Sequence, residues 1–433
     1  MGDIVRLALA LAVVAPVAAT LLVGVRTLLA DHHPSEAFAY RTVMAGLALS
    51  AVGTAAVLAA FGELLGARPH AEVEFGRWLH LHDYEIPVVL LVDRISVTIS
   101  LFAAVLTIIV ARFSRTYLHK EPGFVRFFAL LGFFATGTQL IALAGALELF
   151  FAGWEMVGIA SALFIGFFHE RDEPVRSSVR AFATYRIADA GLLVATVTTF
   201  ELLGSARFSV FERASTLPPG EATLIALLFL LSAMGKSAQL PFSGWLPRAM
   251  EGPTPSSALF YGSVSIHAGL FLLLRVWPVL EVSMVARTIG VCVGLSTALY
   301  ATIVARVHTD AKGALAHATL AQVGVIMAEI FVGWITLALV HLVCHALLRL
   351  GQYLKAPNMI HDSHRIGHSH HAPTWLERRS PRVAARVYAA SLHRLRLDDR
   401  IDAAFSPVLF LARAVDRADR GLRRALSLDR SGS

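Results

Sequence analysis

Long apolar runs separated by short polar segments repeat along most of the chain. A helix needs about 20 mostly apolar residues to cross a bilayer. Eleven such runs occur: about Ile4–Leu29, about Phe38–Leu65, then 93–112, 124–146, 147–168, 179–203, 222–247, 255–277, 284–305, 313–332 and 334–354. Between the second and third, residues 71–92 (AEVEFGRWLHLHDYEIPVVLLV) alternate in places and carry β-branched side chains. That pattern predicts a short extended hairpin outside the membrane. The first run is too long, and its leading residues too weakly basic, for a cleaved signal, so it reads as the first span.

Composition agrees with the pattern. Hydrophobic residues make up 56% of the chain and charged ones 16%, and the mean hydropathy is +0.63. The chain is therefore expected to be an all-α integral membrane protein. Its net charge of +7 is concentrated in the tail. Basic cytoplasmic segments of a membrane protein account for that charge, and nucleic acid is not an expected partner. Cys292 and Cys344 both fall inside apolar runs, so no disulfide framework is implied and both are expected as small core residues.

Loop charges set the expected orientation. Arg112, Arg115, Lys120, Arg126, Arg171, Arg176, Arg180, Arg248, Arg306 and Lys312 follow odd-numbered runs, whereas the opposite loops carry chiefly Arg68, Arg77, Arg207, Arg213 and Arg287. The positive-inside bias then places the N-terminus outside and the tail in the cytoplasm, which suits an odd number of spans in a bacterial cytoplasmic membrane. From Asp399 onward, Ile401, Phe405, Val408, Leu409, Ala412, Val415, Leu422 and Leu426 recur at helical spacing, with Arg413, Arg417, Arg420, Arg423 and Arg424 between them. This basic amphipathic helix either lies on membrane lipid or a partner, or is solvated against its own protein.

The candidate chemistry gathers where polar residues interrupt the runs. In ALLFLLSAMGKSAQLPFSGWLPRAMEGPTPSS, Pro241 lacks an N–H, so a helix passing Lys236 must kink or unwind. Irregular backbone at membrane depth survives only inside protein or beside a wet cavity, which makes Lys236 a functional candidate rather than a residue snorkelling to the interface. Glu155 sits in the middle of run five, where a carboxylate is costly unless paired or transiently protonated. Arg186 and Asp189 are three apart and share a helix face, as a relay or as an internal structural pair. Glu148 lies seven residues before Glu155, near the membrane edge, and reads as a surface carboxylate. His267 in run eight is either a proton relay or a satisfied core histidine. His341, His345 and Arg349 recur at i, i+4 and i+8, on one face of run eleven, with Glu329 at the far end of run ten. Haem or metal ligation by the two histidines lacks a matching ligand set on another helix. His361, His364, His368, His370 and His371 read as a polar junction rather than a zinc site.

GKSAQLPFSGWLPRAMEGPTPSSAL, at 235–259, resembles the signature of the antiporter-like, proton-conducting membrane subunits: the distal subunit of respiratory complex I, Mrp-type antiporters, and the membrane half of the DAB-type inorganic carbon transporter. The resemblance implies an antiporter-like bundle with a broken helix and inverted five-helix repeats. Residues 1–122 would form N-terminal helices with the hairpin, 123–278 a first repeat, 279–356 a partial second repeat, and 357–433 a basic tail. It also implies that Glu155, in GWEMVG, pairs with Lys236, that Lys312 and His317 lie near the central polar axis, and that Tyr261 stands where complex I relatives have histidine. Arg349 stands where relatives have lysine. An arginine keeps its charge, so it can hold charge on a path but cannot load and unload a proton. The short second half, KAPNMIHDSH, Arg349 and Tyr261 point to the carbon-transporter membrane subunit. It would conduct protons or another cation and couple to a soluble, zinc-containing, carbonic-anhydrase-like partner on the cytoplasmic side. The alternatives are an antiporter-like subunit of complex I or a membrane hydrogenase, and an Mrp-like cation/proton antiporter. No motif for quinone, flavin or iron–sulfur binding is visible, so the chain is expected to be an ion-conducting subunit rather than an enzyme, with no cofactor of its own.

Overall fold

A computed structural model gives an all-α membrane bundle that carries one two-stranded hairpin. It describes residues 2–29, 34–60, 70–81, 84–307, 310–366, 378–392, 394–397 and 399–400, together with 403 and 417. The chain divides into two units, residues 1–369 and 370–433.

The first unit holds α1 (Gly2–Leu29), α2 (Glu36–Ala59), β1 (Ala71–Leu81), β2 (Tyr84–Val92), α3 (Arg94–Tyr117), α4 (Phe124–Leu143), α5 (Leu147–Ile165), α6 (Asp172–Leu203) and α7 (Pro219–Lys236). An interrupted α8 (Thr254–Arg275) follows, then α9 (Trp277–Val282), α10 (Met284–Ala305), α11 (Ala311–Val332) and α12 (Ile335–Ile366). Among the described residues, ten helices are long and apolar enough to cross a membrane. The eleventh expected run is α6. It is 32 residues long, but Arg180, Arg186, Asp189 and Glu201 make it too polar to belong to that set. In the second unit, α13 (Pro381–Leu392) and a turn at Arg394–Arg396 are described. The amphipathic stretch expected from Asp399 onward falls almost wholly outside the described residues.

Two boundaries differ from the sequence expectation in ways that matter. Run seven, expected through 247, stops as a helix at Lys236, because the chain leaves helical geometry before Pro241 can insert. Run eleven does not end near 354: its backbone continues as helix to Ile366. Cys292 and Cys344 also depart from expectation. Both are exposed, on outward faces of α10 and α12 rather than in the core.

The hairpin forms where alternation predicts it, with Ala71 opposite Val92 and Leu81 opposite Tyr84. Its ladder is irregular between Glu74 and Gly76, where Gly76 takes φ +140°, a region open to glycine. The hairpin is tied down by charge. Arg207, after α6, reaches Glu72 at 3.0 Å and Glu74 at 2.9 Å, and this guanidinium holds the Glu74 carboxyl below the usual carboxylate range. Glu148 is half-buried and accepts a hydrogen bond from Tyr84 at 2.9 Å, so it anchors the hairpin instead of facing solvent. Burial, then the Glu148 carboxylate, pushes the Tyr84 phenol up. The second strand leads into Asp93, which caps α3 and is bonded to Arg275 at the end of α8.

Candidate functional site

The site is built on two interrupted helices. α7 ends in a Schellman arrangement: the Gln239 N–H reaches the Met234 carbonyl at 2.8 Å and the Ala238 N–H reaches Gly235 at 3.4 Å. The residue in the left-handed position is Ala238, at φ +52°, where glycine is usual, so the break carries local backbone strain. Leu240–Pro241 is cis. The chain then runs through a single 3-10 turn at Phe242–Gly244 and one helical turn at Trp245–Arg248, not a second long half-helix. Freed backbone groups find side chains: Trp245 donates to the Gly235 carbonyl, Gln239 to Ser237, and Thr297 accepts from the Leu240 N–H. Satisfying the backbone internally is what permits irregular chain in an apolar setting.

Lys236 lies at the lip of this break and is only 1% exposed. Its ammonium donates to the Trp154 carbonyl at 3.1 Å and sits over the rings of Trp154 and Tyr185, 4.7 and 4.9 Å from their centroids. The expected direct pair with Glu155 is not made. Glu155 pairs with Arg186, whose other terminal nitrogen reaches Asp189 at 2.6 Å, while Asp189 accepts a second bond from the Trp154 indole. The physical reason is the guanidinium fork, which serves two carboxylates at once and leaves the ammonium to a carbonyl and two aromatic faces. The result is one cluster from α5, α6 and α7: two carboxylates, one guanidinium and one ammonium. Glu155 Oε1 and Arg186 Nε are buried without a protein partner.

The glycines of GWEMVG make this approach possible. A Cβ on Gly153 would stand 2.7 Å from the Gly137 carbonyl of α4, and one on Gly158 would stand 3.0 Å from the Lys236 ammonium. Any side chain at 158 would crowd the lysine ammonium, which would have to give by a few tenths of an ångström.

The second interruption, in α8, is not expected from sequence. Ser257–Ser263 winds as a π-helix and Ser265–His267 as a 3-10 turn, and the Val264 N–H bonds Leu259 at 2.8 Å. The His267 N–H goes to Val264, so the Ser263 carbonyl is left free of its usual helical partner. His267 Nδ1 takes it at 2.6 Å. His267 Nε2 meets His345 Nδ1 at 3.0 Å, and Arg349 Nε donates to His345 Nε2 at 3.1 Å. A guanidinium only donates and a carbonyl only accepts, so both ends fix the same order. Arg349 donates to His345, His345 donates to His267, and His267 donates to Ser263, with both histidines neutral. Arg349 also donates to Gln352 at 2.7 Å.

His341, one turn before His345, belongs to a separate group. Its Nδ1 donates to Glu329 at 3.0 Å, and its Nε2 faces the Gln322 amide at 3.2 Å. An amide accepts from a charged ring or donates to a neutral one, so Gln322 serves either state. The rings of His341 and His345 are 6.3 Å apart. A small pocket of about 30 Å³ lies against His267, walled by Phe102, Thr138, Val157, Ser265 and Phe271. Between the two interruptions, Ser237 donates to the Ile266 carbonyl, Ser161 meets Ser265 at 3.2 Å, and Tyr261 donates to the Ser161 carbonyl at 3.0 Å.

Lys312 opens α11 and reaches the Gly252 carbonyl at 3.4 Å, while His317 is buried with Nδ1 on Gly313 at 2.9 Å. Among the described residues, no group of three or more His, Cys, Asp or Glu is placed to hold a metal ion. The side chains of His361, His364, His368, His370 and His371 lie outside the described residues. The sequence did not signal Trp154 as the link between Asp189 and Lys236, nor Ser263 and Gln322 as histidine partners. Trp154 was visible in GWEMVG, but only the fold turns its indole to α6.

Comparison with known proteins bears on this architecture. A family model described as NADH:quinone oxidoreductase/Mrp antiporter, TM, matches residues 144–377, more than half the chain. A second, described as the N-terminus of complex I chain 5, matches residues 78–128. NADH-quinone oxidoreductase subunit L of Mycobacterium tuberculosis is 33% identical over 329 residues, covering 72% of this chain and 52% of that protein. NAD(P)H-quinone oxidoreductase chain 5 of a Picosynechococcus species is 32% identical over 340 residues, covering 76% and 51%. The chain thus spans about half the length of these relatives. Among solved structures, the Mrp complex from a Dietzia species superposes with a TM-score of 0.69 at 24% identity, over 81% of this chain and 37% of that one. An archaeal membrane-bound sulfane sulfur reductase gives 0.67 at 17% identity, over 80% and 70%, a likeness of fold. With two interrupted helices around buried charge and a family match over more than half its length, this chain belongs to the NADH:quinone oxidoreductase/Mrp antiporter family of membrane proteins.

Proposed function

We propose that this chain is an antiporter-like, proton-translocating membrane subunit of a multi-subunit complex. The observation that carries the reading is the buried Lys236 at a helix break, beside the Glu155–Arg186–Asp189 cluster. Opposing effects act on such a lysine: removal from water favours the neutral amine, and two nearby carboxylates favour the ammonium. Small changes in the Glu155–Arg186 geometry then load or unload it, with the unpartnered Glu155 Oε1 as a docking point for the arriving proton. His267 and His345 lie beyond the second break and extend the route. Arg349 ends it, because a guanidinium does not give up its proton. His341 and Glu329 lie one turn further on, where α11 stops and α12 starts; both His345 nitrogens are already bonded and the ring centroids are 6.3 Å apart, so a proton reaches His341 through a bridging water rather than directly from His345.

The relatives are named as subunits of quinone oxidoreductases, which supports a respiratory or Mrp-type complex over the carbon-transporter reading. That narrower reading, with its zinc-bearing partner, rests on the short second half, KAPNMIHDSH, Arg349 and Tyr261. One experiment tests the proposal. Complexes purified from native membranes and reconstituted into vesicles should move protons, and Lys236→Ala and Glu155→Ala should abolish this while inserting normally. Wild-type flux in either variant would sink the assignment. Mass spectrometry of the same preparation identifies the partners: redox or Mrp subunits support the reading, and a single soluble zinc protein would redirect it to carbon transport.

A further inference from the structure

Where α2 begins and α3 ends, an open cleft of about 810 Å³ lies between the two helices. Three arginines line it: Arg41 in the second turn of α2, and Arg112 and Arg115 in the last two turns of α3. Arg115 stacks over the Tyr40 ring at 4.9 Å. Among the described residues, Arg41 and Arg112 have neither a hydrogen bond nor an ion pair. Among the described residues of the wall, the one carboxylate is Glu36, and it is already occupied: it bonds the His119 ring and the Lys120 N–H, both at 2.8 Å. Among the described residues, three guanidiniums therefore face one opening whose one carboxylate is already bonded elsewhere.

We propose that this cleft binds the phosphate headgroup of an anionic phospholipid. Planar guanidiniums match phosphate oxygens in paired hydrogen bonds, and basic pockets between membrane helices suit acidic headgroups. The order of residues along the helices selects a lipid over free phosphate. Glu36, Thr116 and His119 form the outer rim, the arginines follow, and Met44 and Ile108 close the inner end. A turn of helix rises about 5.4 Å, so the wall changes from charged to apolar over the length of a headgroup. Below the arginines, Ile109 and Val105 of α3 are exposed, 41% and 43%, three and seven residues before Arg112, which continues an apolar track for an acyl chain. The site is independent of the conduction route.

The test measures binding of fluorescent phosphatidylglycerol to the full-length chain in neutral detergent, against phosphatidylcholine as reference. Wild type should prefer the anionic lipid. The double variant R41Q/R112Q should lose roughly 25-fold of that preference, about fivefold per arginine. R41K/R112K should keep most of it, and R176Q, which removes a charge already paired with Asp172 and Glu173 on the same loop face, should leave it unchanged. Millimolar inorganic phosphate should compete weakly. Four results would overturn the proposal: an unchanged preference in R41Q/R112Q, an equal loss in R176Q, an equal loss in R41K/R112K, or full displacement of the lipid by inorganic phosphate.

Discussion

The two interrupted helices hold buried polar groups in opposite ways. Around α7, charge is balanced by charge: Arg186 bridges Glu155 and Asp189, and Lys236 rests on a carbonyl and two rings. Around α8, no carboxylate among the described residues is bonded to the His267–His345 pair. One permanent cation, Arg349, instead orders two neutral rings through hydrogen-bond direction. The first arrangement stores charge and responds to changes in separation. The second orients protons and responds to changes in donor and acceptor. The proposed proton route needs both, because a buried charge has to be stabilised before it can be handed on.

Breaking the charge-balanced side should have the largest effect. Arg186→Met leaves two carboxylates facing each other, and we expect loss of proton flux with destabilisation of about 2 kcal/mol, less than for a fully buried pair because the arginine is 36% exposed. Thermal unfolding in detergent reads the second quantity. Adding Glu155→Gln and Asp189→Asn should restore stability but not flux. Unchanged stability in the single variant would show that the bridge contributes little.

On the α8 side, His345→Ala removes the middle of an ordered triad and should lower flux about 100-fold, the usual scale for a positioned proton-transfer group. Stopped-flow acidification of vesicles measures it. Replacing Arg349 separates charge from order: Arg349→Lys still donates to His345 and should be tolerated, whereas Arg349→Met should cost roughly tenfold through a lost charged hydrogen bond. Equal loss in both would mean that the fork geometry itself is required.

The smallest effect lies at the hairpin, outside both clusters. Glu74 has a lowered folded-state pKa because of its hydrogen bond with Arg207. Its contribution is present above the ordinary carboxylate value and is lost as pH falls through the lower folded value. Amide exchange near residues 72–76 should therefore quicken below about pH 4, and Arg207→Gln should remove that dependence.

Much of the bundle was legible because spanning a bilayer imposes length and apolarity on every segment. The eleven runs follow from that constraint, the break at Lys236 from Pro241, and the hairpin at 71–92 from its alternation. The break in α8 was not legible. SALFYGSVSIH contains neither proline nor a run of glycines, and the π-turn is held by tertiary bonds such as Ser237 to Ile266 and Tyr261 to Ser161. The outward faces of Cys292 and Cys344 were hidden for a related reason: in a membrane protein both core and lipid-facing positions are apolar, so periodicity does not separate them.

The sequence by itself determined that this is a multi-span membrane protein with ionisable groups at membrane depth, since the cost of burying charge in an apolar run makes each one conspicuous. Which of those groups meet was decided by the fold. Lys236 and Glu155 are 81 positions apart, and nothing local dictates that Arg186 takes the carboxylate while Trp154 takes the lysine. His267 and His345 likewise become one ordered pair because α8 unwinds beside α12 and leaves the Ser263 carbonyl to fix the direction of the chain of bonds. Hydrogen-bond direction depends on partners from distant segments, and only their packing brings those partners together.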